Sequence, residues 1–356
     1  MVFFAMPIEK TDIEDFIEKS RTYPILDVRS PGEYAHACIP GAYTLPIFDN
    51  EQRAAIGTAY KQQGRPQAVD IGIGYFAESI KHIPDKALEI FQSHGNKGLP
   101  TFMIHCWRGG MRSEAIAWLL SLYGYKIYLL KGGYKAFRRW ALSQFEKKYN
   151  FSLLGGYTGS GKTELLYELR KEGHKIIDLE GLASHKGSAF GSLGMDNQPS
   201  QEMFENLLAM ELHNQSSKPG DGPIWLEDES RHIGIIHLPN SIWDQMRASP
   251  LYFLEIPASQ RLDYITKGYG RFSNEDLAAC VTKIKKRLGG LETQNALNHL
   301  KNNEAKECFA ILLRYYDKLY QHSLFNRENI TQILHKIPCE SVTVKNSLAL
   351  NPPRLT

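Results

Sequence analysis

The string Gly156-Tyr157-Thr158-Gly159-Ser160-Gly161-Lys162-Thr163 constrains this chain more than any other stretch, because it fits G-x-x-x-x-G-K-[ST] without a mismatch. Apolar Leu153-Leu154 before it and Glu164-Leu165-Leu166-Tyr167-Glu168-Leu169 after it supply the strand and helix that give such a loop its meaning. Backbone N–H groups gathered at a helix N-terminus attract anions. Gly156, Thr158, Gly159, Ser160, Gly161 and Lys162 are therefore expected to cradle a diphosphate, with Lys162 reaching the outer phosphate and Thr163 holding Mg²⁺. Pro223-Ile224-Trp225-Leu226 reads as a second strand, ending in the acids Glu227-Asp228-Glu229. Asp228 or Glu227 is the expected further donor to that metal, through water. Nothing in the motif supplies a base pocket, so the diphosphate need not belong to ATP.

A second anion loop lies upstream. His105-Cys106-Trp107-Arg108-Gly109-Gly110-Met111-Arg112-Ser113 follows the apolar run Phe102–His105 and enters a stretch with helical spacing from Ser113 to Tyr123. A glycine-rich turn at a helix start points N–H groups inward, and with Arg108, Gly109, Gly110 and Arg112 it forms an expected anion cradle. A cysteine at its mouth becomes a thiolate near neutral pH, which marks Cys106 as a nucleophile. Cys38, Cys280, Cys308 and Cys339 are widely spaced, form no Cys-x-x-Cys pair and read as buried apolar thiols.

The apolar runs Ile25–Val28, Phe102–His105 and Lys126–Leu130 alternate with helical patterns, the last of them from Tyr134 to Lys148. Such alternation implies a parallel sheet flanked by helices. At 356 residues the chain is long enough for two α/β domains, expected over residues 10–142 and 148–340, the second helical and basic from about residue 275. The opening Met-Val-Phe-Phe-Ala-Met is cut off by Pro7, too short for a signal or a membrane span, so a cytoplasmic protein without a membrane partner is expected. Lys and Arg number 42 against 39 acidic residues, a net charge of +3 that announces no nucleic-acid partner over the chain as a whole. Any RNA surface must be local. Lys283, Lys285, Lys286 and Arg287 are the best candidates, with Lys131, Lys135, Arg138 and Arg139 behind them, and Tyr264, Tyr269 and Phe272 as stacking candidates.

The cysteine loop alone matches both sulfurtransferases and cysteine phosphatases. Leu26-Asp27-Val28-Arg29-Ser30-Pro31-Gly32-Glu33-Tyr34, Ile39-Pro40-Gly41-Ala42 and Lys131-Gly132-Gly133-Tyr134 resemble the opening and closing motifs of rhodanese domains. Arg112 stands one position further from the cysteine than in common sulfurtransferase rhodaneses, a longer cradle suited to a tetrahedral oxyanion. A rhodanese-like domain joined to a P-loop NTPase-like α/β domain with a helical C-terminal extension resembles the tRNA 2-selenouridine synthase family. Three further blocks carry that resemblance: Arg53 to Gly64, Asp178-Leu179-Glu180-Gly181-Leu182-Ala183 running through to Gly191, and Leu226 to Arg231. It implies a transferase acting on wobble 2-thiouridine of tRNA, with geranyl diphosphate and selenophosphate as co-substrates and a selenophosphate-supplying enzyme as a partner. It also implies that Cys106 handles selenium and that Gly156–Thr163 holds a phosphorylated substrate. Two other readings stay open: a cysteine-dependent phosphatase or sulfurtransferase fused to a kinase-like module, and a non-catalytic tRNA-binding protein.

Overall fold

A computed structural model describes residues 6–350, so the opening hexapeptide, except for Met6, lies outside the described residues. The chain divides into two compact units. One holds the residues up to Gln144 together with Glu205–Met210, and the other holds Phe145–Phe204 and the residues from Glu211 onward. Among the described residues no helix is long and apolar enough to cross a membrane.

The first unit carries strands β1 (Ile8–Thr11), β2 (Ile25–Asp27), β3 (Tyr43–Thr44), β4 (Thr101–His105) and β5 (Lys126–Leu130) in the order β1-β5-β4-β2-β3, every pair parallel. A parallel strand covered on both faces reads as an unbroken apolar run, and all five residues of β4 are buried. Helices Ile83–Ser93 and Met111–Leu122 supply Ile83, Ala87, Phe91, Ile116, Ala117 and Leu120 to the core, where they join Phe102, Ile104, Ile127 and Leu129. Each such wholly buried Leu, Ile or Phe contributes about 1.5–3 kcal/mol. Three consecutive helices, Asn50–Gln63, Arg65–Ser79 and Ile83–Ser93, separate β3 from β4.

The second unit has β6 (Phe151–Gly156), β7 (Lys175–Ile177), β8 (Ile224–Glu227), the small antiparallel pair β9 (His232–Ile233) and β10 (Ile236–His237), β11 (Leu251–Glu255) and β12 (Leu334–Pro338). Its main sheet runs β12-β11-β6-β8-β7, again all parallel. The helical stretch expected from about residue 275 is four helices, Asn274–Lys283, Lys285–Leu288, Gly290–Lys301 and Ala305–Phe325, with a core of their own around Leu277, Val281, Ala296, Leu300, Cys308 and Leu312. The chain then returns to the sheet as β12, paired from Leu251↔Leu334 to Glu255↔Pro338. That strand is partly exposed and ends in proline, as an edge strand can, and its short mixed sequence hid it within a helical pattern.

Candidate functional site

Around Cys106 three separated sequence motifs meet. The Asp27-Val28-Arg29 run ends β2, where the Val28 N–H donates to the His105 carbonyl (3.1 Å). Arg29, about 1% exposed, donates through Nε to Asp27 Oδ1 (2.9 Å) and through Nη2 to the Ala37 carbonyl (2.7 Å), and its guanidinium lies 3.9 Å from the Tyr134 ring centre. Burial pushes the Asp27 carboxyl up, but His105 and the Arg29 guanidinium hold it below the usual carboxylate range. Burial also lowers the pKa of His105, whose Nε2 lies 3.6 Å from Asp27 Oδ2. This dry pair, flanked by an aromatic ring, fixes the strand ends from which the cysteine loop departs.

The closing motif lies directly beneath that loop. The Tyr134 N–H donates to the Cys106 carbonyl (2.8 Å) and the Lys135 N–H to the Trp107 carbonyl (3.0 Å). Gly133 sits at φ +58°, and a Cβ there would come within 2.3 Å of the Cys106 carbonyl oxygen and 2.5 Å of the Gly109 nitrogen. Only glycine satisfies both the left-handed backbone and the close approach.

Cys106 is buried, and its Sγ receives a hydrogen bond from Ser113 Oγ (3.2 Å) in the first turn of helix Met111–Leu122. None of the backbone N–H groups of residues 107–113 is taken up by a described residue. Arg108 is exposed beside them. Arg112 donates through Nη1 to Glu33 Oε2 (2.8 Å), and the same carboxylate accepts from the Ser30 N–H (3.1 Å), capping helix Pro31–His36. Of the expected cradle, Gly109, Gly110 and Arg108 line the loop, whereas Arg112 is tethered by an acid of the opening motif. The other thiols are pushed up by burial, Cys38 to about 11, Cys308 to about 12, and Cys280 and Cys339 upward as well.

In the second unit the phosphate loop follows β6, at the carboxyl end of the parallel strands where open α/β sheets bind ligands. Ser160 closes the turn through its N–H to the Tyr157 carbonyl (3.1 Å), while the N–H groups of Gly159, Gly161, Lys162 and Thr163 are taken up by no described residue. Arg261, about 3% exposed, buttresses the loop: Nη1 donates to the Thr158 carbonyl (3.1 Å), and both Nη groups hold Asp317 (2.9 and 2.8 Å). A Cβ on Gly159, at φ +81°, would lie 2.7 Å from Ile265, so the loop is pressed against helix Ala258–Tyr269. Lys162 Nζ donates to the Gly156 carbonyl (3.2 Å), and Thr163 Oγ1 to Glu180 Oε2 (3.2 Å).

The acids sort differently from the sequence expectation. Both oxygens of Asp228 are engaged, one accepting from Tyr320 Oη and the other from Arg327 Nη2 in a buried ion pair. Glu227 is wholly buried, accepts from the Leu179 N–H (3.2 Å) and is pushed well above the usual carboxylate range by burial and then by Asp178. Glu180 and Glu229 instead stand beside Lys162 and Thr163, hydrogen-bonded to each other. Burial raises both, and Glu180 raises Glu229 further, against the pull of Lys162. Among the described residues no group of three or more His, Cys, Asp and Glu side chains could hold a metal ion. Thr163 Oγ1 and the Glu180–Glu229 pair are the side-chain oxygens gathered beside Lys162. Sequence reasoning placed Glu180 only inside a block of resemblance, since its pairing with Glu229 spans β7 and β8.

Lys283, Lys285, Lys286 and Arg287 are all exposed, at the end of one helix and along the next. Lys131 pairs with Asp12 (3.3 Å) and Arg138 with Glu205 (2.7 Å). Tyr269 and Phe272 pack against the helical core and against each other, whereas Tyr264 is half-buried and donates its hydroxyl to Glu164 at the surface.

Comparison with known proteins follows the same division. The rhodanese-like domain matches residues 10–139, and the tRNA 2-selenouridine synthase AAA domain matches residues 149–343. The tRNA 2-selenouridine synthase of Sulfurovum sp. (strain NBC37-1) is 34% identical over 345 residues, covering 88% of this chain and 91% of that one. Those of Pseudomonas fluorescens (34% over 357 residues, 91% and 93%) and Marinobacter nauticus (33% over 352 residues, 90% and 93%) are similar to the same extent. Likeness over about nine-tenths of each relative, running through both loops, means that the chain belongs to the tRNA 2-selenouridine synthase family of enzymes.

Proposed function

We propose that this enzyme converts wobble 2-thiouridine of tRNA to 2-selenouridine in two steps, one at each loop. In the first, the thiocarbonyl sulfur attacks the first carbon of geranyl diphosphate: a C–S bond forms, the C–O bond to diphosphate breaks, and the uracil ring gives up its N3 proton. In the second, the selenium of selenophosphate forms a bond to the same pyrimidine carbon as the C–S bond breaks and geranyl thiol departs with the selenium's proton, and water then cleaves the Se–P bond, releasing inorganic phosphate and leaving 2-selenouridine with its N3 proton restored. Alkylation is needed because a bare sulfur anion leaves a pyrimidine carbon poorly, whereas a thiol leaves well.

The observation that carries this reading is that one chain holds two loops with unpaired N–H groups, one around a cysteine and one around a lysine. The phosphate loop suits the diphosphate: the N–H groups of Gly159, Gly161, Lys162 and Thr163 and the Lys162 ammonium meet charge that grows as the C–O bond breaks. Thr163 with Glu180 and Glu229 would hold Mg²⁺, which when bound supplies further charge neutralisation of the leaving group. The cysteine loop suits selenophosphate, with the N–H groups of residues 107–113 and Arg108 receiving its phosphate oxygens, Cys106 handling the selenium, and the Ser113 hydroxyl, within reach of both the Cys106 sulfur and the Gly110 carbonyl, orienting the side chain. Arg112, tethered to Glu33, stiffens the rim of that cradle. The exposed run Lys283, Lys285, Lys286 and Arg287 steers the tRNA backbone. The reaction belongs in the cytoplasm, where tRNA and a selenophosphate-supplying enzyme meet.

Lys162→Ala tests the assignment. Loss of one charge on the departing diphosphate costs on the order of 3 kcal/mol, or about a hundredfold in geranylation rate. The variant should still make 2-selenouridine from tRNA that already carries S-geranyl-2-thiouridine. If it geranylates normally but fails on that pre-alkylated tRNA, the phosphate loop serves selenophosphate and the assignment is reversed.

A further inference from the structure

The late helix Ala305–Phe325 meets the phosphate loop along one edge. Asp317, Tyr320 and Gln321 are spaced three and four positions apart, which puts them on one face, and each engages a different part of the loop. Asp317 holds both Nη groups of Arg261 (2.9 and 2.8 Å), and Nη1 of that guanidinium donates to the Thr158 carbonyl (3.1 Å). Gln321 Nε2 donates to the Tyr157 hydroxyl (2.9 Å). The Tyr320 hydroxyl donates to Asp228 and lies against the Gly156 N–H, so close to the backbone that a Cβ on Gly155 would come within 3.0 Å of it. We propose that this helix edge is the positioning element of the phosphate loop, with Asp317 and Tyr320 as positioning residues that set where the loop's N–H groups meet a departing diphosphate. The proposal rests on the reading that the loop holds that diphosphate, and adds what fixes the loop's shape.

A loop with glycine at 156, 159 and 161, all at positive φ, has little of its own to define its shape. One turn of helix, from Asp317 to Gln321, rises about 6 Å, and two steps of extended backbone, from Gly156 to Thr158, reach about 7 Å, so a single turn spans the three loop residues. Bonds that served only the fold could fall anywhere along a helix of 21 residues, whereas these fall on the residues just before the N–H donors. The ring of Tyr157 is boxed between the Arg261 guanidinium (4.9 Å), Phe253 (5.0 Å) and Tyr320 (5.7 Å). Gly156 is held at both backbone groups, its N–H by Tyr320 and its carbonyl by Lys162 Nζ (3.2 Å). Asp228 thereby gains a use: its own N–H donates to the Leu154 carbonyl (2.9 Å), and its carboxylate anchors the Tyr320 hydroxyl.

The test uses the full-length enzyme and reads kcat and KM for geranyl transfer to tRNA bearing wobble 2-thiouridine, together with the inhibition constant of inorganic diphosphate. Inorganic diphosphate carries the charge of the departing group, which the ester has not yet developed. Misplaced N–H groups should therefore lower kcat and weaken diphosphate while KM for the ester moves little. Tyr320→Phe keeps the ring and Asp317→Asn keeps the shape. Each should lower kcat about tenfold or more and raise the diphosphate inhibition constant by a similar factor, with KM within about threefold of wild type. Gln321→Ala, at the exposed end of the edge, should shift the same two quantities about threefold, and it decides alone if the other two variants do not fold. Leu319→Ala, on the exposed side of the same helix, should match wild type in all three readings. Folded edge variants with wild-type kcat and wild-type diphosphate inhibition, or a Leu319→Ala enzyme as impaired as they are, overturn the proposal and leave the phosphate-loop reading standing. Wild-type enzyme that diphosphate does not inhibit overturns that reading, and the proposal with it.

Discussion

Replacing Gly133 by alanine probes the close packing on which the cysteine loop rests. Its added Cβ would stand 2.3 Å from the Cys106 carbonyl oxygen and 2.5 Å from the Gly109 nitrogen, against a practical minimum of 3.0 Å. The loop must therefore retreat by 3.0 − 2.3 = 0.7 Å at Cys106, since both obstacles are backbone atoms and neither can swing aside. The left-handed φ of +58° adds about 1–2 kcal/mol of backbone cost. Displacement of a reacting group by about 1 Å costs on the order of a hundredfold in rate, so selenium incorporation should fall by roughly that factor. Geranylation, assigned to the other unit, should stay near wild type. Gly124→Ala is the matched control: its φ is +81° but nothing lies within 4 Å of the new Cβ, so it bears the backbone cost without the clash. The assay supplies S-geranyl-2-thiouridine tRNA and selenophosphate, and counts 2-selenouridine by mass spectrometry of digested nucleosides. Wild-type selenation by folded Gly133→Ala, or equal loss in Gly124→Ala, would refute the idea that this packing sets the position of Cys106.

Further outcomes follow from the same sites. Cys106→Ser should lose selenation and keep geranylation. Cys38, Cys280, Cys308 or Cys339 changed to Ala should keep both, because burial holds those thiols protonated, and a folded but inactive variant among the four would show a second working thiol. Glu180 and Glu229 titrate above the ordinary carboxylate range in the folded chain, so between that range and their raised values the fold binds more protons than the unfolded chain, and stability falls as pH rises. Glu229→Gln should therefore raise the melting temperature at about pH 8 and lose that advantage toward about pH 4.5, whereas a pH-independent difference would contradict the shared-proton pair. Changing Lys283, Lys285, Lys286 and Arg287 together to Gln should weaken tRNA binding and flatten its salt dependence by about one unit of log–log slope for each phosphate no longer neutralised, and an unchanged slope places the RNA elsewhere.

Both loops were legible in the sequence because each is local: strand, glycine-rich turn and helix lie within about twenty residues, and short-range patterns record such units well. What lay beyond reach was long-range pairing. Asp228 stood in the right place after a strand to serve a metal, yet Tyr320 and Arg327, about a hundred residues on, claim both its oxygens. Glu180 and Glu229 come together only because β7 pairs with β8. The tether of Arg112 to Glu33 and the buttress of Arg261 beneath Thr158 are likewise products of topology. Tyr269 and Phe272 could have stacked a base, although aromatic side chains are more often core, and the packing of the helical segment shows that they lie against its core.

The late return of β12 bears on how the second unit is made. Its pairing with β11 joins Leu251 to Leu334, an interval of 334 − 251 = 83 residues. At a synthesis rate of about 5–20 residues per second, the free edge of β11 waits roughly 4–17 s on the ribosome before its partner exists. During that wait the row of backbone donors and acceptors beside Phe253 is open to any other extended chain. The segment that fills the interval is helical and built on near-neighbour packing, so it can fold first and shield the growing unit. Slowed elongation between residues 301 and 334 would lengthen the vulnerable period, and the vulnerability would then appear as chaperone dependence of the nascent chain, with no change in the finished protein.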